Sequence, residues 1–283
     1  MACDVAFRIM ARRYLDAVAA QHDGTCDGDV TALHDIRIAL THLRTTIRFF
    51  SPIIDDTERR RIWAGLKWLN GQLGKVRDLD VAIDTIRRAA GGDPKALSQV
   101  QSWNEKRELG HRLLARVLKS ARYRNLIENT SNWIDGGPWS TSKSKEEVKA
   151  RGTPIGTFAT QQLAAWEKKL LKKSRKLKDM NVNERHQLRL LNKRLTYSIE
   201  SLQDLFSDKR FSKQKTALKH LRKAQRCLGQ LNDAARGEAL AAALYGEKSD
   251  AIPHFISRKR EKRLLLTAAT AYDKLDKLKL FRV

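Results

Sequence analysis

Within the stretch HDIRIALTHLRTTIRFF, residues 34–50, four cationic or protonatable side chains recur along one line. At about 100° per residue, with His34 at zero, Arg37 falls at about 300°, Arg44 at about 280° and Arg48 at about 320°. Such a row suits phosphate: an arginine presents a planar fork to two oxygens, and a histidine facing a polyanion tends to gain a proton. For one helix taken alone, a solvated polar face is the plainer reading.

The row is repeated. ERHQLRLLNKRLTYSIESLQDLF, residues 184–206, restates it 152 positions later, with His186 for His34 and Arg189 for Arg37. Its polar line carries His186, Arg189, Lys193, Tyr197 and Glu200. Downstream of each copy lies a related helix, in which Leu73-Gly74 aligns with Leu228-Gly229. On the second of these, Lys219 and Arg222 are further candidates for an anion. Between Trp166 and Arg226 there are 19 basic and 6 acidic residues, more than half of the whole chain's excess of +24. Within it the run Lys168, Lys169, Lys172, Lys173, Arg175 and Lys176 would repel itself unless an anion offsets it, and Lys169 and Lys172 are taken as ligand candidates. Arg77 is ambiguous, because Asp80 at i+3 is in reach for an internal ion pair.

Other chemistry finds little footing. Asp78 and Asp80 do not face the same way on a helix, no HExxH or GxxxxGK[ST] pattern occurs, and the three cysteines are scattered. We expect no catalytic residues, no metal and no cofactor. The six tryptophans read as core or interface residues rather than a stacking platform.

The elements that must position these rows are helices. Ile36, Leu40, Leu43, Ile47 and Phe50 share a second, apolar face, and Leu188, Leu195, Ile199 and Leu202 do the same in the second copy. Strand patterns are nearly absent. The 283 residues, 41% apolar and 31% charged, suit an all-α protein of two antiparallel four-helix bundles related by a pseudo-twofold axis. We expect an N-terminal half over 1–140, a linker over 141–156 in the Gly-, Pro- and Ser-rich stretch DGGPWSTSKSKEEVKARGTPIG, and a C-terminal half over 157–283. Shorter breaks fall at HDGTCDGD, GGDP and GEKSDAIP. If the two rows face one another they form one central basic cleft or pore, where low-dielectric walls strengthen the field.

Together LHDIRIALTHLRTTIRFF, LGKVRDLDVAI, RHQLRLLNKRLTYSIE and LGQLNDA, in that order, resemble the CHAD family, the conserved-histidine α-helical domains. The resemblance implies a single helical domain of two four-helix bundles whose basic centre binds inorganic polyphosphate. Residue by residue, it implies contacts from His34, Arg37 and Arg44, and from His186, Arg189, Lys193 and Arg194 with Tyr197 beside them. Arg48 joins them as part of the first row. The chain departs from the family pattern at Thr41, His42 and Thr196, where basic residues are usual. The ExExK strand of the triphosphate-processing domain found with many members is absent from this sequence, and a separate triphosphate-processing protein is a candidate partner alongside polyphosphate and nucleic acid.

The expected function is therefore non-catalytic polyphosphate binding. Its rivals are non-specific nucleic-acid binding, which the same charge would favour, and metal-dependent hydrolysis of polyphosphate or triphosphate. No apolar run is long enough to cross a bilayer and no signal peptide is evident, so a cytoplasmic protein without membrane contact is expected. Association with polyphosphate granules follows from the resemblance.

Overall fold

The structure, a computed structural model, describes residues 1–90, 94–203, 208–245 and 255–281. They are almost entirely helical, as the apolar periodicity predicts. The chain divides into two compact units, Met1–Ile155 and Gly156–Val283.

In the first unit α1 (Cys3–Ala20), α3 (Val30–Phe49), α4 (Thr57–Ala90), α5 (Pro94–Leu118) and α6 (Ala121–Gly136) are the long elements, joined by short α2 (His22–Cys26), α7 (Pro138–Thr141) and α8 (Lys145–Gly152). Asp29 caps α3 by accepting from the Thr31 amide at 2.7 Å. The residue before it, Gly28, has φ 85°, a conformation a side chain would resist. The apolar faces meet where expected: Ile36, Leu40, Leu43, Ile47 and Phe50 are all buried, and α3 lies against α1 and α4. Phe7 of α1 is enclosed by Phe50, Trp133 and Trp139, at centroid distances of 5.7, 5.6 and 5.2 Å.

One carboxylate ties this core to the start of α4. Asp56 accepts from the Arg59 amide at 2.5 Å, capping the helix. It also accepts from the Trp133 indole at 3.1 Å and the Trp139 amide at 3.0 Å.

The stretch expected to be a linker is structured. Residues 145–152 form α8. Arg151 donates to the Trp139 and Ser142 carbonyls at 2.9 and 2.5 Å. The Cys3 amide donates to Thr153 O at 3.0 Å and the Ile155 amide to Met1 O at 3.1 Å. Its Gly and Pro punctuate two short helices that fold back on the N-terminus. Similarly, the break at HDGTCDGD holds α2. The breaks GGDP, apart from Pro94, and GEKSDAIP lie outside the described residues.

In the second unit α9 (Ile155–Ser174) is followed by a 3-10 turn (Leu177–Asp179), α10 (Val182–Ser201), α11 (Asp208–Tyr245) and α12 (Arg258–Leu278). α10 begins with a capping box: Asn181 accepts from the Glu184 amide at 3.0 Å, and Glu184 accepts from the Asn181 amide at 2.9 Å. Leu188, Leu195, Ile199 and Leu202 are buried, and α11 packs on both α10 and α12. Arg185 of α10 reaches Glu261 of α12 at 2.6 Å.

Asp80 on α4 is 2% exposed, and its partners differ from the sequence expectation. Arg107 and His111 of α5, not Arg77, donate to its Oδ1 at 2.7 and 3.2 Å. Burial by itself would raise the Asp80 carboxyl; the bonds from His111 and Arg107 outweigh it and hold the group below the usual carboxylate range. The folded value thus lies under the unfolded one of about 3.9. Its stabilisation is complete above about pH 4 and is lost as the pH falls through the lowered folded value. Asp80→Asn should lower neutral-pH stability by about 3 kcal/mol, since it strands Arg107, and should flatten the acid limb. Urea unfolding between about pH 2.5 and 7 checks this; parallel wild-type and variant curves would contradict it.

Candidate anion-binding site

The first row lies on α3 as the spacing predicts, with graded exposure: His34 and Arg48 are exposed, Arg37 and Arg44 half-buried. Arg37 extends over α4 at Gly74, where an added Cβ would stand 3.1 Å from its Nη1. The glycine is what gives the guanidinium room. Thr41 turns its hydroxyl back to the Arg37 carbonyl at 2.7 Å, and His42 stacks on Tyr14 of α1 at 4.8 Å. The two departures from the family pattern in this helix are thus occupied in holding the helix and its packing.

Further along, Arg44 and Arg48 converge on Trp63 of α4, each with its Cζ 4.9 Å from the ring centroid. Trp63, expected as a core or interface residue, is half-buried and lies under two cations of the facing helix. Such contacts contribute about 0.5–2 kcal/mol each, against the repulsion of like charges at i,i+4. Burial, then the charge of Arg48, lowers the proton affinity of Arg44; burial, then Arg59, does the same for Arg48. Arginine is so strongly basic that both remain cationic at neutral pH.

The second row lies on α10, where His186, Arg189, Lys193, Arg194 and Tyr197 are all half-buried. His186 Nδ1 meets Asn232 Oδ1 of α11 at 2.6 Å, a structural bond inside its own unit. Arg189 lies beside Gly229 of α11, its Nε 4.0 Å from an added Cβ. The Arg–Gly juxtaposition of the first unit is therefore present in the second, with more room. Lys193 Nζ stands 5.2 Å from the Tyr197 ring centroid. Burial and then Glu200 push the Tyr197 phenol up to about 12, with Arg189 and a hydrogen bond to Gln225 opposing, so it is a neutral hydroxyl at physiological pH. Below the row, buried Asn192 donates to the Leu221 carbonyl of α11 at 3.1 Å. The third departure, Thr196, bonds back to the Asn192 carbonyl at 2.9 Å.

Of the remaining candidates, Lys219, Lys169 and Lys172 are exposed, the first on α11 and the others on α9. Arg222 is engaged with Glu200, at 2.9 Å from Nε and 2.8 Å from Nη2. The structure adds Trp63, Gly74, Gly229 and Asn232, which the reading of the sequence left without a role. The aligned glycines were the available signal: each sits inside a helix, where glycine is costly unless something approaches closely. Among the described residues, no three His, Cys, Asp or Glu side chains gather as a metal site. No helix among them is long and apolar enough to cross a membrane.

The two glycines predict different responses to alanine. Gly229→Ala should raise thermal stability by up to about 1 kcal/mol through helix propensity. Gly74→Ala should gain less or lose stability, because its methyl would press on Arg37. Equal gains in paired melting curves would mean that Arg37 gives way freely.

This arrangement can be set beside known proteins. The crystal structure of the CHAD domain from the plant Ricinus communis matches with a TM-score of 0.76 and 21% identity, over 100% of this chain and 93% of that one. PptA from Streptomyces chartreusis matches with a TM-score of 0.61 and 14% identity, over 99% of this chain and 98% of that one. At these identities the likeness is one of fold. No curated protein matches the sequence. The CHAD domain family, however, matches residues 9–242, most of the length and both basic rows, and the chain belongs to that family.

Proposed function

We propose that this protein binds inorganic polyphosphate without turning it over, using the basic rows of α3 and α10. The observation that carries the reading is the paired placement of Arg37 against Gly74 and Arg189 against Gly229. In both units a half-buried guanidinium stands beside a helix-interior glycine, closely at Gly74 and with room to spare at Gly229. A site organised in this way loses little side-chain entropy on meeting a row of phosphates. His34, Arg44, Arg48, Lys193 and Arg194 extend the two rows, and Lys169, Lys172 and Lys219 add mobile charge. Tyr197 supplies a neutral hydroxyl. The excess of +24 draws any polyanion in before contact. Arg222, paired with Glu200, is left out of the set.

Calorimetric titration with long-chain polyphosphate tests this directly. Wild type should bind with an affinity that falls steeply with salt, as counterion release requires. The Arg37→Ala/Arg189→Ala variant should bind about a hundredfold more weakly, because two charge-assisted contacts are lost. Release of orthophosphate on incubation with magnesium or manganese should stay at background; sustained turnover would replace this reading with a hydrolase. Displacement of polyphosphate by an equal phosphate concentration of single-stranded RNA would replace it with a nucleic-acid-binding role.

A further inference from the structure

At the carboxyl end of α3 the basic row opens into a cavity of about 310 Å³ lined by Arg48, Ser51, Arg59, Arg60 and Trp63. It stands between the last turn of α3 and the first turns of α4. One helix end contributes negative partial charge and the other positive, so the local field comes from side chains. The carboxylates of this corner have other engagements. Asp55 accepts from Arg59 Nε and Nη2 at 2.9 and 2.5 Å, Glu58 pairs with Arg61 at 2.8 Å, and Asp56 caps α4. Arg44 and Arg48 stand over the Trp63 ring, and Arg48, Arg59 and Arg60 line the cavity, with Asp55 engaged by Arg59 alone.

In sequence, the second row does not repeat the arginines of this corner. At the offset of 152 residues, Thr196 stands for Arg44 and Glu200 for Arg48, and Glu200 is itself paired with Arg222. Whatever this arginine cluster binds, it binds at one end of one row. A cavity of this size suits a few phosphate groups. Chain ends also differ from chain interiors in charge. An internal phosphate carries one negative charge, whereas a terminal one approaches two near neutral pH, as phosphomonoesters do. Converging arginine forks discriminate in favour of the more highly charged, oxygen-rich end.

We propose that this cavity seats the doubly charged terminal phosphate of a linear phosphate chain, held by Arg48, Arg59 and Arg60, with Trp63 positioning Arg48 and the Ser51 hydroxyl as a further donor. The inference rests on the polyphosphate reading for the class of ligand. Its chemistry is shared by the end of polyphosphate and by the end of a nucleoside triphosphate.

The test titrates the full chain with linear tripolyphosphate, with cyclic trimetaphosphate, which has no terminal group, and with ATP. Tripolyphosphate should bind at least about tenfold more tightly than trimetaphosphate. Arg48→Gln and Arg60→Gln should each weaken tripolyphosphate about tenfold, and Arg60→Gln, which lies outside the row, should leave trimetaphosphate unchanged. Trp63→Leu should act like Arg48→Gln, and Trp63→Phe, which keeps a ring beneath the guanidiniums, should restore binding. Melting curves of each variant verify that it is folded. ATP binding with the same sensitivity to the variants identifies nucleoside triphosphates as a source of the end; ATP that does not bind identifies polyphosphate. Equal binding of linear and cyclic forms, or wild-type tripolyphosphate binding by the folded Arg48 and Arg60 variants, would overturn the proposal. Arg60→Gln should leave long-chain binding within about threefold, since most of that contact lies along the rows. Loss of long-chain binding in wild type with tripolyphosphate binding intact would refute the polymer reading and leave the seat standing.

Discussion

Self-repulsion is the constraint under which this chain folds. An excess of 24 positive charges destabilises any compact state unless charges are separated or answered. Apolar burial supplies the folding energy, through continuous stripes on α1, α3 and α4 in one unit and on α10, α11 and α12 in the other. The acids then act where helices must be joined. Asp80 draws Arg107 and His111 of α5 onto α4. Asp56 fastens the start of α4 to both tryptophans that enclose Phe7. Glu261 receives Arg185 across from α10 to α12. Each is a carboxylate placed at a junction.

Holding those rows in place takes shape as well as charge. The interior glycine at 74 gives the Arg37 guanidinium room, an added Cβ standing 3.1 Å from it, whereas at Gly229 an added Cβ would meet Arg189 only at 4.0 Å. Trp63 serves the same end by a different interaction: its ring lets two arginines approach each other more closely than their charges favour. Because Asp56 sets the first turn of α4, and Trp63 lies less than two turns further on, the aromatic core around Phe7 determines where the arginine corner is presented. The binding surface and the hydrophobic core are thus mechanically continuous through one capping carboxylate.

Much of this was legible in the sequence because helical periodicity has one reading. Every apolar residue assigned to the inner faces of α3 and α10 is buried, and the basic residues of the two rows lie on those helices. What escaped depends on contacts between elements distant in sequence. Asp80 has Arg77 within reach on its own helix, yet it bonds to residues 27 and 31 positions away on α5, and local spacing could not have chosen between them. Trp63 resembled core because a tryptophan's type does not say which of its faces is covered. The stretch 141–156 resembled a linker because Gly, Pro and Ser punctuate short helices as readily as loops, and only Arg151 and the pairing with residues 1–3 distinguish the two.

The differences between the two rows follow from the same physics. Where α3 carries Arg44 and Arg48, α10 carries Thr196 and Glu200; where α3 leaves His34 exposed, α10 bonds His186 to Asn232. The second row instead keeps Lys193 above Tyr197 and lies in the unit that carries the lysine-rich α9. Arginine forks on a fixed aromatic platform hold an anion in a defined orientation, whereas lysines on long stems follow it as mobile point charges. A polymer of identical units needs only one place where its register is set. Along the rest of its length, charge that adjusts to it loses less affinity than geometry that does not match. On the proposed polyphosphate reading, the arginine-rich first unit would orient the ligand and the lysine-rich second unit would retain it.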